Sequence, residues 1–92
     1  MLDQVDQYIN AYNRGLVSTD HPHFEAVSTL VSMMDECADL YKAIEGALYE
    51  RDERGFYVDN SLLIGEYERE LIEVQKLISY LRKEFSEELS NY

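Results

Sequence analysis

The sequence predicts an all-α chain. It reads as a short N-terminal helix followed by a long antiparallel helical hairpin, a three-helix bundle that dimerises. Three observations lead there. Glycine occurs 4 times and proline once in 92 residues, so little interrupts a helix. Two stretches carry apolar residues in alternating steps of three and four over seven successive positions. The segment between those stretches, 55–60, is short enough to force an antiparallel return. Length and composition set one helical domain over residues 1–92.

The first helix is expected over 3–14. Leu2, Val5, Ile9 and Tyr12 fall on one stripe. Gly15 suits the left-handed residue that closes a helix, and Leu16 follows as the apolar contact of that ending. Asp20 or His21 is placed to cap the second helix, with Pro22 in its first turn, where a missing N–H costs nothing. The second helix is expected over 22–53. Its seam is Val27, Leu30, Met34, Cys37, Tyr41, Ile44 and Leu48, widened by Val31, Met33, Ala38, Leu40 and Ala47. Gly46 interrupts the helix at a cost of about 1 kcal/mol and is read as a close helix approach. Gly55 and Phe56 repeat the Gly15–Leu16 ending. Asp59, Asn60 or Ser61 caps the third helix, expected over 61–89. Its seam is Ile64, Tyr67, Leu71, Val74, Ile78, Leu81 and Phe85. Heptad spacing predicts coiled-coil packing with a left-handed crossing near +20°. The first helix covers only part of a hairpin about 45 Å long. Ile72 and Tyr80 fall off the seam, so they pack on the first helix or form a dimer or partner surface.

Little in the sequence supports chemistry. Glu66, Glu70 and Glu73 share one edge of the third helix, but a di-metal bundle site also needs Glu-x-x-His motifs, and none exists. Arg69–Glu73 and Lys83–Glu87 read as ordinary pairs along that helix. His21 and His23 lack the third and fourth ligands of a zinc site and read as part of a capping turn. Cys37 sits on the seam as a small buried residue, with no His at helical reach to activate it. There is no phosphate loop or dinucleotide fingerprint. The expectation is a protein that is not an enzyme and takes no metal or cofactor.

Charge is the informative feature. Nineteen Asp+Glu against 8 Lys+Arg give a net charge of -11. That excludes direct binding to nucleic acid or to an anionic membrane, both of which recruit Lys and Arg. No apolar run is long enough for a membrane helix. The absence of a basic and apolar leader, together with a single Cys, sets the expectation of a cytoplasmic protein. No Lys or Arg occurs between Arg14 and Lys42. In the heptad frame Asp35, Glu36 and Asp39 point away from the seam, and Glu45 and Glu50 extend the acidic surface. Tyrosine occurs 8 times. Tyr41 and Tyr67 belong to the seam, whereas Tyr8, Tyr49, Tyr57, Tyr80 and Tyr92 are hard to bury and suit a contact surface.

Carboxylates one helical turn apart lie about 5–6 Å from each other, comparable to successive phosphates of a strand. The expectation is therefore a binding module that occupies a basic, nucleic-acid-binding surface of a partner protein. Small acidic phage-type inhibitors of CRISPR or restriction machinery work so as a class, and the analogy rests on composition. Asp35, Glu36, Asp39, Glu45 and Glu50 supply the charge, and Tyr49, Tyr57, Ile72 and Tyr80 the contact area. The competing expectation is a structural adaptor, an assembly component or toxin-immunity protein, that binds through apolar surface.

Overall fold

The computed structural model describes residues 3–91 and is all-helical: α1 Gln4–Asn13, α2 Phe24–Tyr49 and α3 Ser61–Ser90. Leu2 of the predicted first stripe and Tyr92 of the predicted contact set lie outside the described residues. α2 and α3 pair along their length as an antiparallel hairpin. His23 meets Glu88 at one end, and Asn60 meets Ala47 at the other. α1 packs against both helices at the His23–Glu88 end.

α1 forms as its local signals require. The Asp6 N–H donates to Asp3 Oδ1 at 2.8 Å, capping one of the free donors of the first turn. At the other end Gly15 takes φ +72°. The Leu16 N–H reaches the Ala11 carbonyl at 2.9 Å and the Gly15 N–H reaches Tyr12 at 3.0 Å, the bond pair of a Schellman ending. The apolar half of that motif is missing: Leu16 is exposed, and Val17 packs on the core instead.

α2 begins two to three residues later than capping by Asp20 or His21 implies, and Pro22 lies before it. Residues 18–23 close their own turns first. Ser18 Oγ accepts from the Asp20 N–H, and His21 Nδ1 accepts from the His23 N–H. His23 occupies the cap position without a side-chain cap bond. Its ring is buried, and Nδ1 donates to Glu88 Oε2 at 2.7 Å. The Tyr8 and Phe85 rings stand edge-on to it. A helix start is thereby fixed to the last turns of α3, 65 residues away. Arg82 holds α1 on the same side, 2.9 Å from Asp6 and 3.5 Å from Asp3.

The core sits at this end. Val5, Ile9, Val27, Leu30, Val31, Phe85 and Leu89 are buried together. The α3 seam is as expected, with each of its seven residues buried or half-buried. The α2 seam is not. Tyr41 and Leu48 are 53% and 51% exposed, while Ala47 is buried and Met33 and Leu40 are half-buried. Beyond the reach of α1, α2 has one neighbour instead of two. Only its α3-facing side stays covered, and the seam passes through Met33, Cys37, Leu40, Ile44 and Ala47. Cys37 is accordingly half-buried and free. Ile72 and Tyr80 remain exposed, so α1 does not cover them. No side chain lies within 4 Å of where a Gly46 Cβ would sit, so this glycine marks no close approach inside the chain.

α2 ends at Tyr49, four residues short of the expected 53, and Gly55 belongs to a turn rather than to a helix end. The chain extends 59 × 26 × 24 Å, with a radius of gyration of 17.5 Å. A compact domain of this length would have about 12 Å.

Leu30→Ala, at the fully buried centre of the core, is expected to cost about 3 kcal/mol of stability. Leu62→Ala, at an exposed position, should change it by less than about 0.5 kcal/mol. Urea unfolding followed by circular dichroism measures both.

Candidate functional site

The most elaborately bonded part of the surface is the tip where α2 hands over to α3. Glu50 leaves α2 in an extended conformation, φ -63° and ψ 135°. Asn60, at the start of α3, donates through Nδ2 to the Ala47 carbonyl and to Glu50 Oε2, both at 2.9 Å. It satisfies one of the carbonyls that the last helical turn leaves open. Between these points the backbone makes a miniature antiparallel ribbon. The Val58 N–H donates to Glu50 O at 3.0 Å and the Asp52 N–H to Phe56 O at 2.8 Å.

Asp52 organises the turn. Its Oδ1 accepts from the N–H groups of Arg54 and Phe56, at 2.8 and 3.1 Å. The Gly55 N–H returns to the Asp52 carbonyl at 3.0 Å, with Gly55 at φ +83°, where only glycine sits without strain. Across the ribbon the Arg51 guanidinium lies 4.6 Å from the Tyr57 ring centre and donates to its hydroxyl. Asp59 closes the tip by accepting from the Ser61 hydroxyl and the Ser61 N–H. The hydroxyl bond first, and the N–H bond second, hold the Asp59 carboxyl below its usual 3.8.

This bonding presents apolar side chains to solvent. Tyr49, Phe56 and Tyr57 are each more than 60% exposed, and Leu62 is 88% exposed. Glu50, Asp52, Glu53 and Asp59 surround them, with Arg51 and Arg54 as the cations of the turn. Three of the predicted contact residues, Tyr49, Glu50 and Tyr57, are brought together here. Glu50 is partly committed to Asn60. Phe56 and Leu62 join them at the tip and are not among the residues that the sequence marks for contact. Their signal was an aromatic after the turn glycine and a leucine outside the α3 seam.

The predicted carboxylates of α2 lie elsewhere. Asp35, Glu36, Asp39 and Glu45 are exposed along the rod. Asp39 sits about 15 Å of helix rise from Tyr49. Glu36 faces Glu73 and Lys76 across a shallow groove floored by Met33, Val74 and Leu77. Lys76 is 3.8 Å from Glu73, while Arg69 turns back to the Gly65 carbonyl, so the expected Arg69–Glu73 pair does not form. A further acidic concentration has no signature in the linear sequence. Glu25 of α2 shares a groove with Glu84, Glu87 and Glu88 of α3, residues about 60 positions away. Ile72 and Tyr80 stand apart from the tip, about 16 to 30 Å of helix rise from Ser61.

Among the described residues no group of three or more His, Cys, Asp or Glu side chains is gathered to hold a metal ion. No helix among them is long and apolar enough to cross a membrane. No known protein family, curated protein sequence or solved structure matches the chain.

Asp52→Ala is expected to accelerate amide exchange at Arg54 and Phe56, leaving helical content unchanged. The Asp59 carboxyl should titrate below 3.8 by carbon-detected NMR. Its folded-state value is depressed, so its contribution to tip order is present above the unfolded value of 3.8. That contribution is lost as pH falls through the lower folded value.

Proposed function

We propose that this protein is a non-enzymatic binding module. In this reading it occupies the basic, nucleic-acid-binding surface of a partner protein, blocking it as a phage-type anti-CRISPR or anti-restriction inhibitor would. The observation that carries the reading is the tip. A hydrogen-bonded ribbon carries Phe56 and Tyr57 beside Tyr49 at the end of α2, and all three stand in solvent among carboxylates, with no part in the core of this chain. Aromatic anchors fixed in advance give contact area at low entropic cost. The elongated chain, 59 × 26 × 24 Å, adds exposed Asp35, Glu36 and Asp39 to the field that a basic groove would meet. The module acts as a homodimer in this reading.

A second reading is favoured by the exposure of Tyr41, Leu48, Ile72 and Tyr80. An adaptor would bind through that apolar surface, and its binding would be nearly insensitive to salt.

The two readings separate in one capture experiment from a bacterial lysate, using immobilised wild type and the D35K/E36K/D39K variant. The first reading expects a protein that is retained by wild type and released by high salt or by excess duplex DNA. The triple reversal should weaken its capture at least about tenfold, the equivalent of 1.4 kcal/mol. A partner that resists salt and DNA, and binds the reversal equally well, overturns the inhibitor reading. A Tyr49→Ala/Tyr57→Ala variant should slow capture little and hasten release, because apolar anchors act mainly on dissociation.

A further inference from the structure

We infer that the flank of the hairpin left bare by α1 is where two copies of this chain meet. The flank is defined by contacts. Met34 and Ile78 pack against the core that α1 completes. On the same side and further along lie Ala38 and Tyr41 on α2 and Gln75 on α3, each three or four residues from the last. Gln75 Nε2 donates to the Tyr41 hydroxyl at 2.9 Å, joining the two helices across this flank. Leu48 continues the α2 stripe seven residues beyond Tyr41, and Ile72 lies one turn from Gln75. Tyr41, Leu48 and Ile72 are all about half exposed. Tyr41 and Leu48 lie on the α2 seam and Ile72 on the flank of α3 beside Gln75, and apolar side chains left half exposed there are what a missing neighbour leaves behind.

The area fits a second copy. The chain exposes 6973 Å². A compact monomer of 10.8 kDa would expose about 5,500 Å². The excess, about 1,400 Å², belongs to the whole elongated chain, tip included, and leaves room for the roughly 800 Å² that each partner gives to a standard interface. A two-fold pairing uses the same strip from both copies, so one bare flank is enough.

The charge fits as well. Two copies of a chain with net charge -11 repel wherever their carboxylates face one another. Between Ala38 and Leu48 on α2, and between Glu68 and Gln75 on α3, this flank carries Glu45 and Glu68, with Lys42, Arg69 and Lys76 along its margins. Asp35, Glu36 and Asp39 stay outside the strip. A basic partner would find cations of its own sign at these margins, whereas a second copy finds apolar surface bordered by charges of both signs. The inference deepens the reading above by assigning the dimer face. It rests on that reading only for what the dimer then does.

Sedimentation velocity on purified chains tests it without any partner, so its failure is separate from that of the inhibitor reading. Wild type at high micromolar concentration should sediment at twice 10.8 kDa. Ile72→Glu and Tyr41→Glu should each raise the dimer dissociation constant at least about tenfold with unchanged far-ultraviolet dichroism. Leu77→Glu, on the groove shared with Met33 and Glu36, should leave the dimer intact. Hydroxyl-radical footprinting of wild type supplies a readout that needs no variant: labelling at Tyr41 and Leu48 should rise on dilution, and labelling at Leu77 should not. A monomeric wild type overturns the inference. So does a dimer indifferent to both Glu substitutions, or one that dissociates only with Leu77→Glu.

Discussion

The mismatch in length between α1 and the hairpin governs the rest of this structure. Ten residues of helix rise about 15 Å, against about 39 Å for α2 and 45 Å for α3. Three helices can enclose a core only where all three are present. The buried cluster of Val5, Ile9, Val27, Leu30, Val31, Phe85 and Leu89 therefore lies at one end. Past it, two helices share a single line of contact. Two cylinders touching along a line cannot bury broad apolar stripes, so Tyr41 and Leu48 face water although their spacing is that of a core.

Specific polar contacts keep the covered end in place. Arg82 pairs with Asp6 and Asp3, and buried His23 donates to Glu88. Exposed pairs of this kind add little stability, but a buried imidazole needs its partner, because an unpaired buried donor carries a penalty of about 1–3 kcal/mol. The Tyr8, His21, His23 and Phe85 rings surround that bond edge to face. The covered end is thus both the apolar and the polar anchor of the fold.

The uncovered end is organised differently. Its order comes from hydrogen bonds within 47–61 rather than from burial. Asp52, Gly55, Asn60 and Asp59 each satisfy backbone or side-chain groups of the turn. Those bonds leave Tyr49, Phe56, Tyr57 and Leu62 in solvent. One end is stabilised by a core and the other displays aromatic groups among carboxylates, and the proposed binding role rests on that contrast. Binding residues gather on loops that a rigid scaffold positions.

The sequence by itself determined the helix count, the antiparallel return, the α3 seam, the Gly15 ending and the acidic surface. Each is a local or periodic property: apolar spacing selects a helix face, a glycine permits positive φ, and carboxylates without apolar neighbours stay in water. The tertiary structure alone decided the rest. Which α2 residues are covered depends on how far α1 reaches, so the same three-and-four spacing that buries Leu30 leaves Leu48 bare. α2 stops at Tyr49 because Asn60, thirteen residues beyond Ala47, takes the carbonyl of its last turn, and the Asp52 side chain organises the ribbon that follows. The His23–Glu88 bond spans 65 residues and has no local signature. Periodicity records which side of a helix prefers contact, and only the assembled chain determines whether a neighbour is there to provide it.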